Sequence, residues 1–80
     1  MERKQVYEVI DSERDYQDSK WSGHTHDAGS YILMIEEYAA RARAAWVDNN
    51  GDQPSLDVVR KIAGIAVRCM EEHGAPKRQL

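Results

Sequence analysis

Apolar residues recur along most of this chain every three or four positions, with little of the strict alternation that marks strands. The pattern predicts an all-α fold of three helices in one small domain spanning residues 1–80. The first helix is expected roughly from Glu2 to Lys20, with Val6, Val9 and Ile10 as a narrow apolar stripe. That stripe fades into the polar run "SERDYQDSK", which predicts a helix only half committed to the core. The stretch "WSGHTHD" breaks the pattern. A second helix follows Asp27, whose carboxylate suits an N-cap, with Ser30 as a competing cap. Its buried face is expected from Tyr31, Ile32, Ile35, Tyr38, Ala39, Ala42 and Trp46. "DNNGDQPS" ends it, with Gly51 suited to a left-handed terminal position and Pro54 unable to continue the same helix. Ser55 is expected to cap the third helix. Leu56, Val59, Ile62, Ala63, Ala66, Val67 and Met70 form its stripe, and Ile65 and Cys69 widen it. Gly74 stops it, and residues 75–80 form a frayed tail.

A short loop between the second and third helices predicts an antiparallel hairpin. Alanines and Gly64 let its two backbones approach closely. Two helices cannot enclose an apolar face between them, and the first helix is too polar along its second half to cover the remainder. Self-association into a helical bundle is the expected remedy, in preference to a marginal three-helix monomer.

Composition sharpens this picture. Eighty residues without a single Phe bury only a thin core. The one cysteine, Cys69, excludes an internal disulfide and fits a reducing compartment. No apolar run is long enough to span a membrane, and "MERKQVYEVI" lacks the apolar segment of a signal peptide. A cytoplasmic protein without membrane contact is expected. The net charge of −3, with both signs interspersed, argues against DNA or RNA as a partner.

Several side chains carry candidate chemistry, each beside a plainer role. Glu36 and Glu37 suit metal ligation, or Glu37 pairs with Arg41 one helical turn on and Glu36 with Lys61. Tyr16, Lys20 and Trp21 suit a base stacked on an aromatic face with a cation for phosphate, or Trp21 plugs a gap in the core. The N-terminal N–H groups of the second helix add an anion site. His24 and His26 are metal ligands, base contacts or surface histidines. Cys69 and His73, four apart on one face, would complete a zinc set only if the histidine loop reached that helix end. Arg41, Arg43, Arg60 and Arg68 are a phosphate clamp or a solvated face.

The segments "ERDYQDSKW", "HTHDAGSYILMIEEYAARARAAW" and "RKIAGIAVRCMEEHG" together resemble the phage MazG-like proteins, all-α nucleoside triphosphate pyrophosphohydrolases. The likeness covers residues 13 to 74. It implies acidic residues on facing helices that hold Mg²⁺, which clamps a triphosphate and activates water. Glu36 and Glu37 match the start of the family's E-E-x-x-E core, but its third acid falls on Ala40. In the third helix, Val58 and Lys61 stand where acidic or amide groups belong. Asp57 lies about 100° around the helix from that direction. The resemblance also implies an aromatic at the place of Trp46, near the base pocket of a neighbouring subunit.

The expected function is therefore a phage-type, non-catalytic nucleotide binder that sequesters a nucleotide or cyclic-nucleotide signal, with a possible anti-defence role. Its site would comprise Tyr16, Lys20, Trp21, His24, His26, Arg41 and Arg60, with no cofactor. One alternative is an Mg²⁺-dependent pyrophosphohydrolase using Glu36, Glu37 and Asp57. Another is a small helical protein that inhibits a host protein by direct binding.

Overall fold

The computed structural model describes residues 1–48 and 51–79. Among them the chain forms three helices and no strands: α1 (Arg3–Trp21), α2 (Ala28–Asp48) and α3 (Gln53–His73). Part of the expected α2–α3 turn, residues 49 and 50, and the last residue of the tail, residue 80, lie outside the described residues. Residues 75–79 are exposed and carry no regular structure.

The helix ends follow from local chemistry. The Glu2 N–H donates to the Gln5 side-chain oxygen at 2.8 Å at the start of α1. Asp27 caps α2 as expected, its Oδ1 accepting the Ser30 N–H at 2.7 Å. Gly74 ends α3 with φ of 104° and an N–H donated to the Met70 carbonyl at 2.8 Å. Ser55 is not a cap. The helix begins two residues earlier, with Asp52 at the N-cap position and Pro54 in the first turn, where a missing N–H costs nothing. Ser55 is buried, and its hydroxyl donates back to the Asp52 carbonyl at 2.8 Å.

The central element is α3, which packs on both α1 and α2. The α2–α3 pair is antiparallel, because Tyr31 near the start of α2 reaches Glu72 near the end of α3. Helices α1 and α2 do not pack on each other. They flank a groove whose floor is α3.

The distribution of buried residues departs from the apolar stripes. Val6 and Val9 are exposed and Ile10 is half-buried, whereas Glu13, Arg14 and Gln17 are the buried residues of α1. The polar half of α1 is thus the half that docks. It does so through a closed hydrogen-bond network rather than apolar area. The Gln17 Nε2 donates to Glu13 (3.2 Å) and to the Lys61 carbonyl (3.3 Å). Arg14 donates to Gln17, Asp18 and Glu71, at 3.3, 2.9 and 2.8 Å. The Arg60 Nε donates to Glu13 at 2.8 Å. Among the described residues no buried side-chain nitrogen or oxygen lacks a partner, so this seam avoids the desolvation cost of an unsatisfied polar group. Gly64 belongs to the same seam. It faces Gln17 of α1, not the α2–α3 contact for which its small size was expected to serve.

The apolar core is small. Tyr31 and Ile65 are the buried apolar side chains among the described residues. Ile32, Ala39 and Trp46, expected on the buried face of α2, are exposed. So are Leu56, Val59 and Met70 of α3, while Ile35, Tyr38, Ala42, Ile62, Ala63, Ala66, Val67 and Cys69 are half-buried. A hairpin with one flanking helix has a single layer of contact, so much of each stripe stays exposed, and Leu56, Val59 and Ala63 border an open cleft with Val6, Val9 and Ile10 of α1. No helix among the described residues is long and apolar enough to cross a membrane.

Candidate functional site

The loop between α1 and α2 folds back onto the C-terminal half of α3. Arg68 fixes it, its guanidinium donating to the carbonyls of Trp21 at 3.4 Å and of His24. The His73 Nε2 lies 2.7 Å from the His26 carbonyl oxygen. A carbonyl only accepts, so the proton of that bond sits on Nε2. The loop therefore does reach the helix end that carries Cys69 and His73, which nothing in the sequence required.

Tyr31 is the hub of this junction. Its ring is fully buried. His26 and His73 approach edge-on at centroid distances of 5.4 and 6.1 Å. The Arg68 guanidinium lies 5.8 Å from the ring centre and 3.3 Å from Glu72, and the Tyr31 hydroxyl donates to that same carboxylate. Burial pushes the Tyr31 phenol up to about 12, with the bond to Glu72 adding to the shift. The bond from Tyr31 holds the Glu72 carboxyl below its ordinary range. Bonds from Ser30 lower Asp27, and the Arg60 guanidinium lowers Asp57.

These shifts set a pH dependence. The depressed carboxyls contribute stability that is present above their ordinary range and lost as pH falls through it. The raised phenol contributes stability that is complete below its ordinary value of 10.0 and is lost as pH rises toward about 12. Denaturant midpoints should be flat between roughly pH 5 and 9 and fall on both sides. An alkaline limb that survives Tyr31→Phe would assign that limb to another group.

Between α1 and α2 lies a groove made of two continuous clefts. The first, of about 160 Å³, is lined by Trp21, His24, His26, Tyr31, Tyr38 and Arg68, with Gln17, Met34 and Ile65 between them. The second, of about 150 Å³, is lined by Glu13, Tyr16 and Lys61. Gln17, Trp21, Tyr38 and Ile65 border both. Trp21, His24, His26 and Tyr16 are thus brought to one groove. Lys20 is not among the lining residues; its Nζ sits 5.7 Å from the centre of the Tyr16 ring, at the rim. Arg41 lies 4.6 Å from the Tyr38 ring centre and 3.4 Å from Glu37, outside the lining. Arg60 is held by Glu13 at 2.8 Å and Asp57 at 2.6 Å, away from the groove. At the N-terminus of α2 the Asp27 carboxylate takes the Ser30 N–H and the Asp27 carbonyl the Tyr31 N–H, so these two groups of the expected anion site are already engaged.

Sequence reasoning missed Glu13, Gln17, Tyr31, Met34, Tyr38, Lys61 and Ile65 as groove residues, and offered Arg68 only as one of four arginines of a phosphate clamp. A signal was present in two of the sets. Tyr31 and Tyr38 are seven apart, two turns on one face, and Lys61, Ile65 and Arg68 follow at spacings of four and three.

The residues that the Mg²⁺ reading needs do not fit the ion. Glu36 and Glu37 are exposed, with Glu37 paired to Arg41. Asp57 is held by Arg60 at 2.6 Å and by Lys61 at 3.4 Å, so two cations stand where a metal would. No group of three or more His, Cys, Asp or Glu among the described residues is placed to hold a metal ion, and this includes the histidines and Cys69 of the zinc reading. Comparison of the chain with family models, curated proteins and solved structures returns no match.

Proposed function

We propose that the chain binds a nucleotide in the groove between α1 and α2 and releases it unchanged, acting as an oligomer that sequesters the ligand. The observation that carries this reading is the aromatic lining: Trp21, Tyr38, His24 and His26 border a cleft of about 160 Å³. That volume suits a planar ring system and leaves the sugar and phosphate to extend along the groove. Lys61 is half-buried in the adjoining cleft, where the MazG-like pattern would have a metal ligand, and supplies a cation for the phosphate by exchanging its 3.4 Å pair with Asp57 for the ligand. A cation in that position holds an anion directly and opposes a metal by like-charge repulsion. The resemblance to phage MazG-like proteins supports the same class of ligand, and makes a nucleotide or cyclic-nucleotide signal of host defence the natural cargo.

Each stacked aromatic contributes about 1–3 kcal/mol to single-base binding, roughly ten- to hundredfold in affinity. Tyr38→Ala and Lys61→Ala should each weaken binding measured by calorimetry against a panel of nucleotides and cyclic nucleotides, while helicity stays at the wild-type level. Arg78→Ala, in the tail, is the control. Binding that tracks neither Tyr38 nor Lys61 would move the site elsewhere. Pyrophosphate release that requires Mg²⁺ and is lost in Glu36→Gln would replace the binder by the hydrolase.

A further inference from the structure

Charge around the groove is unevenly committed. Among the described residues two lysine or arginine side chains line it, Arg68 in the first cleft and Lys61 in the second. Arg68 is tied to structure. It pairs with Glu72 at 3.3 Å and donates to the carbonyls of Trp21 and His24, so a ligand that drew it away would release the loop that forms the wall. Lys61 is the cation a ligand can win, because its pair with Asp57 is long, at 3.4 Å. Asp57 loses little in that exchange, since Arg60 holds it at 2.6 Å. The same Arg60 holds Glu13 at 2.8 Å, and Glu13 borders the cleft that Lys61 lines. Arg60 and Lys61 thus face Glu13 and Asp57, two charges against two, and the second cleft is balanced before anything binds. Lys20 at the rim is exposed, where an ion pair contributes little.

We infer that Asp57, through its hold on Lys61, sets the groove to admit a single phosphate charge, so that a phosphodiester binds in preference to a phosphate monoester or a triphosphate. The inference rests on the reading of the groove as a nucleotide site and names the ligand class within it. A phosphodiester carries one negative charge. It takes Lys61, while Asp57 stays neutralised by Arg60. A phosphate monoester carries about −1.5 to −2 at pH 7. Its second charge meets no further cation and lies beside Glu13 and Asp57, in a cleft where like charges repel more strongly than in open water. A triphosphate adds charge at each phosphorus. Among the described residues no group of three or more His, Cys, Asp or Glu is placed to hold a metal that would offset it. Space agrees with charge: the second cleft is about 150 Å³, bordered by Tyr16 and Trp21, and a chain of three phosphates would run out toward the rim. Asp57 touches Lys61 rather than lining either cleft, so it acts on the ligand by position and charge.

Calorimetry on the full chain tests this at pH 8, where imidazole itself is neutral, in metal-free buffer. For each of the four bases the series is the nucleoside, its 5′-monophosphate, its 5′-triphosphate, its 3′,5′-cyclic monophosphate and a cyclic dinucleotide. At low salt a cyclic form should bind about five- to tenfold more tightly than the monoester of the same base, with the triphosphate weaker again. Which cyclic form binds more tightly tells whether the diester closes on one sugar or links two nucleosides. The gap between diester and monoester should shrink as salt rises, because screening weakens repulsion. Asp57→Asn removes a repelling charge and frees Lys61, so the monoester should gain more than the diester. Asp11→Asn, exposed on α1 and outside both clefts, changes the net charge equally and should leave the gap as it is. A monoester or triphosphate that binds as tightly as the cyclic forms, or a gap that neither salt nor a helical Asp57→Asn alters, would overturn the inference and leave the nucleotide site standing. Failure of every member of the series to bind would remove the nucleotide reading, and the inference with it.

Discussion

Tyr31→Ala should leave the protein largely unfolded at room temperature. Tyr31 is one of two buried apolar side chains among the described residues, and it is fully buried. Truncating a large buried aromatic to alanine costs about 3–5 kcal/mol through lost transfer energy and the cavity left behind. A chain of this length carries about 4–12 kcal/mol in total; with two buried apolar side chains among the described residues this one belongs at the low end, where the substitution removes most of it. The second core residue, Ile65, lines the same cleft as Tyr31 and loses a neighbour in the process. Tyr31→Phe separates the ring from its hydroxyl. It keeps the edge-on contacts with His26 and His73 and removes the bond to Glu72, a smaller loss than that of the ring. Urea unfolding followed by circular dichroism reads both variants. Tyr31→Ala with near-wild-type stability would mean that the core is elsewhere.

The importance of Tyr31 was only partly legible in the sequence. Three helices, the Asp27 cap and the Gly74 stop follow from periodicity and end chemistry, which act within one turn and need no partner. The partition of each stripe into an inner and an outer flank depends on where the neighbouring helix sits. Ile32 and Tyr31 are adjacent and equally apolar in pattern, yet one is 54 % exposed and the other fully buried. The docking of α1 was hidden for a different reason. "ERDYQDSK" reads as a solvated run because charged residues are usually outside. Its Glu13, Arg14 and Gln17 are buried because each meets a specific partner on α3 or on its own helix, and pairings over a separation of 47 or 57 residues leave no local trace. The groove shares that difficulty: Trp21, His24 and His26 were visible as candidates, but Lys61 and Arg68 become its ends only once α3 lies beneath them.

Gly64→Leu should detach α1 and cost about 3 kcal/mol, the upper end of the usual range for forcing a large side chain into a packed contact. A Cβ at Gly64 would sit 2.6 Å from the Gln17 Nε2 and 2.9 Å from its Oε1. Even alanine therefore requires the amide to move. Gln17 has no slack to give, since it donates to Glu13 and to the Lys61 carbonyl and accepts from Arg14. Displacing it leaves buried polar groups without partners, which is costlier than the loss of the bonds themselves. Helix propensity works in the opposite direction, favouring alanine over glycine by about 1 kcal/mol in a helix interior. The two effects separate in a double-mutant cycle. Gly64→Ala alone should destabilise. Gln17→Ala alone should also destabilise, by opening the seam. Together they should be less harmful than their sum by about 0.5–3 kcal/mol, because the alanine methyl occupies space that the amide has vacated. Hydrogen exchange gives the local readout. In Gly64→Leu, the amides of α1 around Glu13 and Gln17 should lose protection before those around Ile65. Equal protection in both helices, with stability unchanged, would show that Gly64 is not the point of closest approach between α1 and α3.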